Sequence, residues 1–202
     1  MKMIIVGGSS GAHQPLATIL RDLPDDLDAA VLVLRHSWPS VPSVLGDVLR
    51  PHSALPIEEI VDGMTVRPRR AYVAPSGTNV TFDDGDGTIA FRLEPCPPAV
   101  RGRPNIDVAL ISAATTFGTD CIGVVLSGYL DDGTIGAIEV GEYDGIVIAQ
   151  APSDAEQPSM PLNVIRRDSP DYILPDIQIG GTLRDLVNER LPEQRAEAGF
   201  TA

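Results

Sequence analysis

Three short apolar runs, at residues 3–6, 29–34 and 121–126, end in glycine or polar residues and give way to helix-like patterns. Runs that stay apolar instead of alternating are what parallel strands show when helices cover both faces of a sheet. The first run continues as Gly7-Gly8-Ser9-Ser10-Gly11, and residues 12–21 then set Leu16, Ile19 and Leu20 on one helical face ahead of Pro24. The second ends in Arg35-His36, before a helical stretch at 41–49 that Pro51 stops. The third ends in Ser127-Gly128-Tyr129-Leu130-Asp131-Asp132-Gly133, before a helix at 134–141, and residues 145–149 form the last clear strand. Strands alternating with helices imply right-handed crossovers, so the pattern predicts an α/β fold with an open, mostly parallel sheet and helices on both faces.

The middle of the chain changes character. Residues 56–60, 71–74, 79–82 and 88–93 are strand candidates, with Asp83-Asp84-Gly85-Asp86-Gly87 as a hairpin turn and Pro75-Ser76-Gly77 as another turn. This half is expected to add antiparallel strands to the parallel sheet. A helix is predicted at 106–116, a polar proline-bearing loop at 154–161, and a charged helix with a loose tail at 183–202. The 202 residues fit one large domain over 1–190, with 191–202 as a charged C-terminal tail.

Composition narrows the function classes. No apolar run approaches the roughly 20 residues of a membrane span, and the apolar start is too short for a signal peptide, so no membrane insertion and a cytoplasmic location are expected. Cys96 and Cys121 have no metal-ligand spacing and read as free thiols. The formal charge is −13, Lys2 is the single lysine, and 19 of the 28 acidic residues are aspartate. That surface argues against sequence-independent nucleic-acid binding, which needs cations facing phosphates. It resembles proteins from salt-rich cytoplasm, although a high-GC genome suppresses lysine as well.

Open α/β sheets carry their ligand sites beyond the carboxyl ends of the strands. Ser9, His36 and Asp132 all follow such ends. Gly7 to Gly11 fits Gly-x-Ser-x-Gly, a turn that lifts a serine hydroxyl off the sheet beside the first amides of a helix; the plainer reading is a glycine-rich strand-to-helix turn, of which a nucleotide-phosphate loop is one kind. A serine hydroxyl becomes nucleophilic only when a base takes its proton, and imidazole backed by a carboxylate does this near neutrality. Of the three histidines, His36 ends a buried strand, His13 lies one helical turn after Ser9, and His52 reads as a solvated loop residue. Either Asp131 or Asp132 can back the imidazole while the other caps the helix from Thr134.

Taken in order, Ile4-Ile5-Val6-Gly7-Gly8-Ser9-Ser10-Gly11, Leu34-Arg35-His36, Ala71-Tyr72-Val73-Ala74-Pro75, Pro97-Pro98, Arg103-Pro104-Asn105-Ile106-Asp107-Val108, Gly123-Val124-Val125-Leu126-Ser127-Gly128, Asp131-Asp132-Gly133, Ala149-Gln150 and Pro158-Ser159-Met160-Pro161 resemble the catalytic domain of chemotaxis protein-glutamate methylesterases, CheB type. The resemblance implies a doubly wound, mostly parallel α/β fold and hydrolysis of glutamate methyl esters on the cytoplasmic helices of chemoreceptors, with glutamine deamidation as a second activity. It puts the nucleophile on Ser9, the base on His36 and the aspartate on Asp132. Ser10, Gly128 and Tyr129 are expected to hold the oxyanion or line the substrate site. No metal or cofactor is required.

Departures from the family pattern bear on substrate range. Tyr129-Leu130 stands where a methionine-glycine pair is usual, Ala12 replaces a second glycine, and Gly102 replaces a frequent histidine. Met1 stands two residues before the first strand, so a preceding receiver domain, and control by aspartyl phosphorylation in cis, are expected to be absent. Two alternatives remain: a serine esterase or amidase acting elsewhere with the same triad, and a non-catalytic signalling module that keeps the fold. A dinucleotide site fits less well, because no third glycine follows Gly11 at the fingerprint spacing and no acidic residue closes the second strand.

Overall fold

The structure, a computed structural model, describes residues 1–37, 44–85, 87–96, 103–167 and 170–190. Its elements run β1 (Lys2–Gly8), α1 (His13–Asp22), β2 (Ala29–Arg35), α2 (Leu45–Leu49), β3 (Ile57–Glu59), β4 (Arg70–Val73), β5 (Thr78–Gly85), β6 (Thr88–Pro95), α3 (Ile106–Phe117), β7 (Cys121–Val125), α4 (Thr134–Glu142), β8 (Ile146–Gln150), α5 (Ser159–Arg167), β9 (Tyr172–Leu174) and α6 (Asp176–Val187). Seven strands form one sheet in the order β3-β4-β2-β1-β7-β8-β9, and every pairing in it is parallel.

Successive residues of a strand face opposite sides of the sheet. In β1, Ile4 and Val6 face one core, which Leu16, Leu20, Ile179 and Leu183 of α1 and α6 close. Met3 and Ile5 face the other, closed by Leu110 of α3, Val140 of α4 and Met160 of α5. Both faces are dry, which is why the strand runs read as continuous apolar stretches; each Val, Leu or Ile so buried contributes about 1.5–3 kcal/mol. The chain leaves β1 on one side to build β2, β4 and β3, then crosses to build β7, β8 and β9. The order therefore reverses at β1, and in open α/β sheets ligand sites lie at such a point, beyond the carboxyl ends of the strands.

The middle of the chain differs from expectation. β3 and β4 join the sheet as parallel strands, whereas β5 and β6 form a separate antiparallel ribbon. The ribbon buries Val80 and Phe91 but leaves much of the rest half-exposed, so it needs one covering element and not two. α3 supplies it: Phe82 meets Phe117 edge-on with ring centroids 5.2 Å apart, and Phe82 N donates to Ser112 Oγ at 2.9 Å. Asp83 and Asp84 lie within β5 and not in the turn. The predicted helix at 41–49 is described from Leu45; residues 41–43 lie outside the described residues, as does the tail at 191–202.

Three further corrections concern the C-terminal third. Residues 159–161 belong to α5 and not to a loop, with Pro161 in the first turn, where a missing N–H is tolerated. β9 adds an edge strand beyond β8. The last helix begins at Asp176 and not near Leu183, and Gly180 and Gly181 inside it interrupt the apolar pattern. Among the described residues no helix is long and apolar enough to cross a membrane.

Candidate active site

The turn after β1 is fastened to the loop after β7. Ser9 N donates to Ser127 O at 2.9 Å, and Ala12 N closes the turn on Ser9 O at 3.2 Å. Gly11 sits at φ +79°, in the left-handed region, and a Cβ there would lie 2.5 Å from Ser127 Oγ; only glycine meets both demands. Ser127 Oγ donates to Ser10 O at 2.8 Å and accepts from Gln157 N at 2.9 Å. Below it, Ser127 N donates to Gln150 Oε1 at 2.9 Å, and Gln150 Nε2 donates to Asp154 Oδ2 at 2.7 Å. Asp154 Oδ2 also accepts from Asp176 N at the start of α6.

Ser127 and Gln150 are 0% and 1% exposed, so the bond between Ser127 N and Gln150 Oε1 satisfies groups that water cannot reach. Gln150→Leu keeps the volume but strands Ser127 N in the core, and we expect it to cost about 1–3 kcal/mol in denaturant unfolding.

Gly128 packs directly on the candidate nucleophile. A Cβ at 128 would stand 2.8 Å from Ser9 Cβ and would overlap Met160 Sδ. Its amide, however, donates to Gln157 O at 2.8 Å. Gly128 is therefore not an available oxyanion donor; its part in the site is this close approach. Among the described residues the amides of Ser10 and Tyr129 donate to no protein group. Tyr129 and Leu130 form an exposed lip at 57% and 63% exposure. Asn163 Nδ2 ties that lip to α5 by donating to Leu130 O at 2.8 Å.

His36 continues the register of β2 against β1. Gly8 pairs with Arg35, and His36 N donates to Gly8 O at 3.1 Å, so Ser9 and His36 are the next residues on adjacent strand ends. The imidazole Nε2 lies 2.6 Å from Asp132 Oδ2, with the two side chains 14% and 11% exposed. Ser9 is half-buried, and its Oγ makes no hydrogen bond among the described residues.

Asp132 is held from a third direction, by α3. Ile106 N donates to Asp132 Oδ2 at 2.9 Å and Asp107 N to Asp132 Oδ1 at 3.1 Å. The positive end of the helix meets a carboxylate there. Of the two adjacent aspartates, Asp132 reaches the imidazole; Asp131 is exposed and lies 4.0 Å from Arg167. Neither side chain caps α4, whose N-cap is Gly133. Asp107 Oδ1 instead accepts from Gly136 N at 2.7 Å.

The remaining histidines lie apart from this cluster: His13 is exposed at the start of α1, and His52 Nδ1 is 3.5 Å from an Arg21 nitrogen. Ser127, Gln150 and Asp107 stood in the family-like motifs without a role, and residue type and spacing alone gave no signal for one. Among the described residues no group of three or more His, Cys, Asp or Glu side chains is arranged to hold a metal ion.

Burial pushes the Asp107 carboxyl up to about 6; the amides of Gly136, Gly133 and Ile135 oppose this, and the charge of Asp132 adds to it. The folded protein therefore holds this proton more tightly than the unfolded chain does between its ordinary 3.8 and about 6. The contribution of this group to stability is present at pH 4 and is lost as pH rises through about 6. We expect Asp107→Asn to remove that part of the slope, so that the stability gap between variant and parent changes in the variant's favour from pH 4 to pH 7 in denaturant titrations.

Comparison with known proteins supplies a frame for this arrangement. A family model described as CheB methylesterase matches residues 4–183. A protein-glutamate methylesterase/protein-glutamine glutaminase of Thermotoga maritima is 32% identical over 92% of this chain and 54% of its own length. One from Myxococcus xanthus is 33% identical over 79% of this chain and 46% of its own length. The chain thus spans about half the length of these curated relatives. The crystal structure of the Thermotoga maritima CheB methylesterase catalytic domain superposes with a TM-score of 0.88 at 32% identity, covering 92% of this chain and 98% of that one.

Proposed function

Because the chain belongs to the CheB methylesterase family, we propose that it cleaves methyl esters of glutamate side chains on chemoreceptor cytoplasmic helices by acyl transfer through Ser9. The observation that carries this reading is the 2.6 Å contact of His36 Nε2 with Asp132, made where the strand register brings residue 36 beside Ser9. An ionised carboxylate only accepts, so Asp132 keeps the proton on Nε2 and leaves Nδ1 basic.

His36 Nδ1 takes the Ser9 proton as Oγ attacks the ester carbonyl. The tetrahedral oxyanion is held by the amides of Ser10 and Tyr129, each worth about 3–4 kcal/mol in sites of this kind. The imidazolium returns its proton to the departing methoxide, giving methanol and a glutamyl ester on Ser9. Water, deprotonated by the same nitrogen, attacks that ester, and the free glutamate and the serine hydroxyl are regenerated. With a glutamine side chain the same steps release ammonia. The aspartate contributes orientation and charge and keeps its own ionised state throughout.

Methanol release from methylated chemoreceptors incubated with the purified protein tests the substrate. Release at a rate well above the receptor alone supports the reading. The exposed Tyr129-Leu130 lip favours a second reading, a serine esterase or amidase with another acyl substrate; turnover of small p-nitrophenyl esters with no methanol from receptors selects it.

A further inference from the structure

We propose, on the acyl-transfer reading above, that Asp107 is a positioning residue: by tying the first turn of α4 to the first turn of α3, it fixes the segment that presents Asp132 to His36. Two helix N-termini exchange carboxylates here. Asp132, just ahead of α4, accepts from the first amides of α3, Ile106 N at 2.9 Å and Asp107 N at 3.1 Å. Asp107, in the first turn of α3, returns the contact by accepting from Gly136 N in the first turn of α4 at 2.7 Å. The amides of Gly133 and Ile135 also favour its charged form.

The exchange is asymmetric in what it leaves behind. α3 has its own cap, because Asn105 Oδ1 accepts from Val108 N at 2.8 Å. α4 has none, since its N-cap is Gly133 at φ 93°, with no side chain to offer. The first N–H groups of a helix need partners, and among the described residues Asp107 is the side chain that supplies one to α4. One residue, Gly133, separates Asp132 from that helix, and Thr134 N, the first amide of α4, donates to Asp131 O at 3.1 Å. A shift of the α4 terminus therefore moves Asp132 relative to His36 Nε2, and misplacement of a catalytic group by about 1 Å can cost on the order of 100-fold in rate. Among the described residues Asp107 makes no hydrogen bond or ion pair with Ser9 or His36, so it acts through Asp132.

The test is the rate at which a fluorophosphonate probe phosphonylates Ser9 in the whole chain, measured against probe concentration for the parent, Ser9→Ala, Asp132→Ala, Asp107→Ala and Asp107→Asn. Asp107→Ala should lower the saturating rate about tenfold or more and leave the half-saturating concentration where it was. Asp107→Asn, whose Oδ1 still accepts from Gly136 N, should restore most of the loss. If Asp107→Ala does not melt cooperatively, Asp107→Glu, which keeps the charge but displaces the acceptor by one methylene, is read for the same fall in saturating rate. A parental saturating rate in the folded variant, with Asp132→Ala strongly impaired, overturns the positioning role and leaves the acyl-transfer reading standing. Parental labelling in Ser9→Ala or Asp132→Ala overturns the acyl-transfer reading itself, and the role of Asp107 with it.

Discussion

Ser9→Ala is expected to lower methanol release from methylated receptors on the order of 10⁵- to 10⁶-fold, the loss seen when a serine nucleophile is removed from a triad. The effect should be purely chemical. Among the described residues every hydrogen bond of Ser9 is made by its backbone: the amide donates to Ser127 O and the carbonyl accepts from Ala12 N. Alanine keeps both, and it keeps the Cβ that packs against Gly128. Unfolding free energy should therefore stay within about 0.5 kcal/mol of the parent. A variant that melts like the parent and still releases methanol at a comparable rate would remove Ser9 from the reaction. Residual activity well above the uncatalysed rate is expected, since the oxyanion donors and the binding surface remain.

Asp132→Asn carries the second largest expected effect, a fall in kcat of about 10⁴-fold. The reason lies in the donors that surround the carboxylate. Oδ2 receives Ile106 N and faces His36 Nε2, while Oδ1 receives Asp107 N. An asparagine must put its NH₂ at one of these two sites. Placed at the Oδ2 site, it meets the Ile106 N–H and donates to Nε2, which drives the ring proton onto Nδ1 and removes the base. Placed at the Oδ1 site, it keeps the ring tautomer but sets two donors against each other at Asp107 N. In either case a first-turn amide of α3 loses its acceptor, at a cost to stability of about 1 kcal/mol. Steady-state kinetics with a thermal melt in parallel separate the two effects: kcat collapses while the melting temperature falls by only a few degrees.

The parallel strands and the two main helices of the first half were legible because both faces of the sheet are covered, which leaves continuous apolar runs bounded by Gly7-Gly8 and Arg35-His36. β9 was not, since Tyr172-Ile173-Leu174 is too short a run to separate from a buried loop. α6 was obscured by Gly180-Gly181, and α5 by Pro161. Where a hairpin goes is a tertiary matter. Residues 79–82 and 88–93 read as two strands, although the pairing runs on through Asp83, Asp84 and Gly85, and nothing local says that β3 already occupies the sheet edge and that α3 receives the ribbon instead.

The candidate site divides in the same way. Ser9 and His36 stand at strand ends, so topology alone brings them to one rim. The choice between Asp131 and Asp132 depends on α3, a helix that begins 25 residues earlier in the chain and whose first amides select Asp132. The roles of Gln150 and Asp107, and the engagement of the Gly128 amide by Gln157, arise from contacts between segments 23 to 29 residues apart. Spacing rules carry no information at that range.

On the reading proposed above, His36, oriented by Asp132, makes the Ser9 hydroxyl a nucleophile. Peptide mapping by mass spectrometry after exposure to diisopropyl fluorophosphate, for the parent and for His36→Ala, tests this at the reacting atom. One diisopropylphosphoryl group is expected on the peptide that contains Ser9 in the parent, and none after the same exposure in the folded His36→Ala variant. A group found on another residue, or equal modification of Ser9 without the imidazole, would contradict that reading.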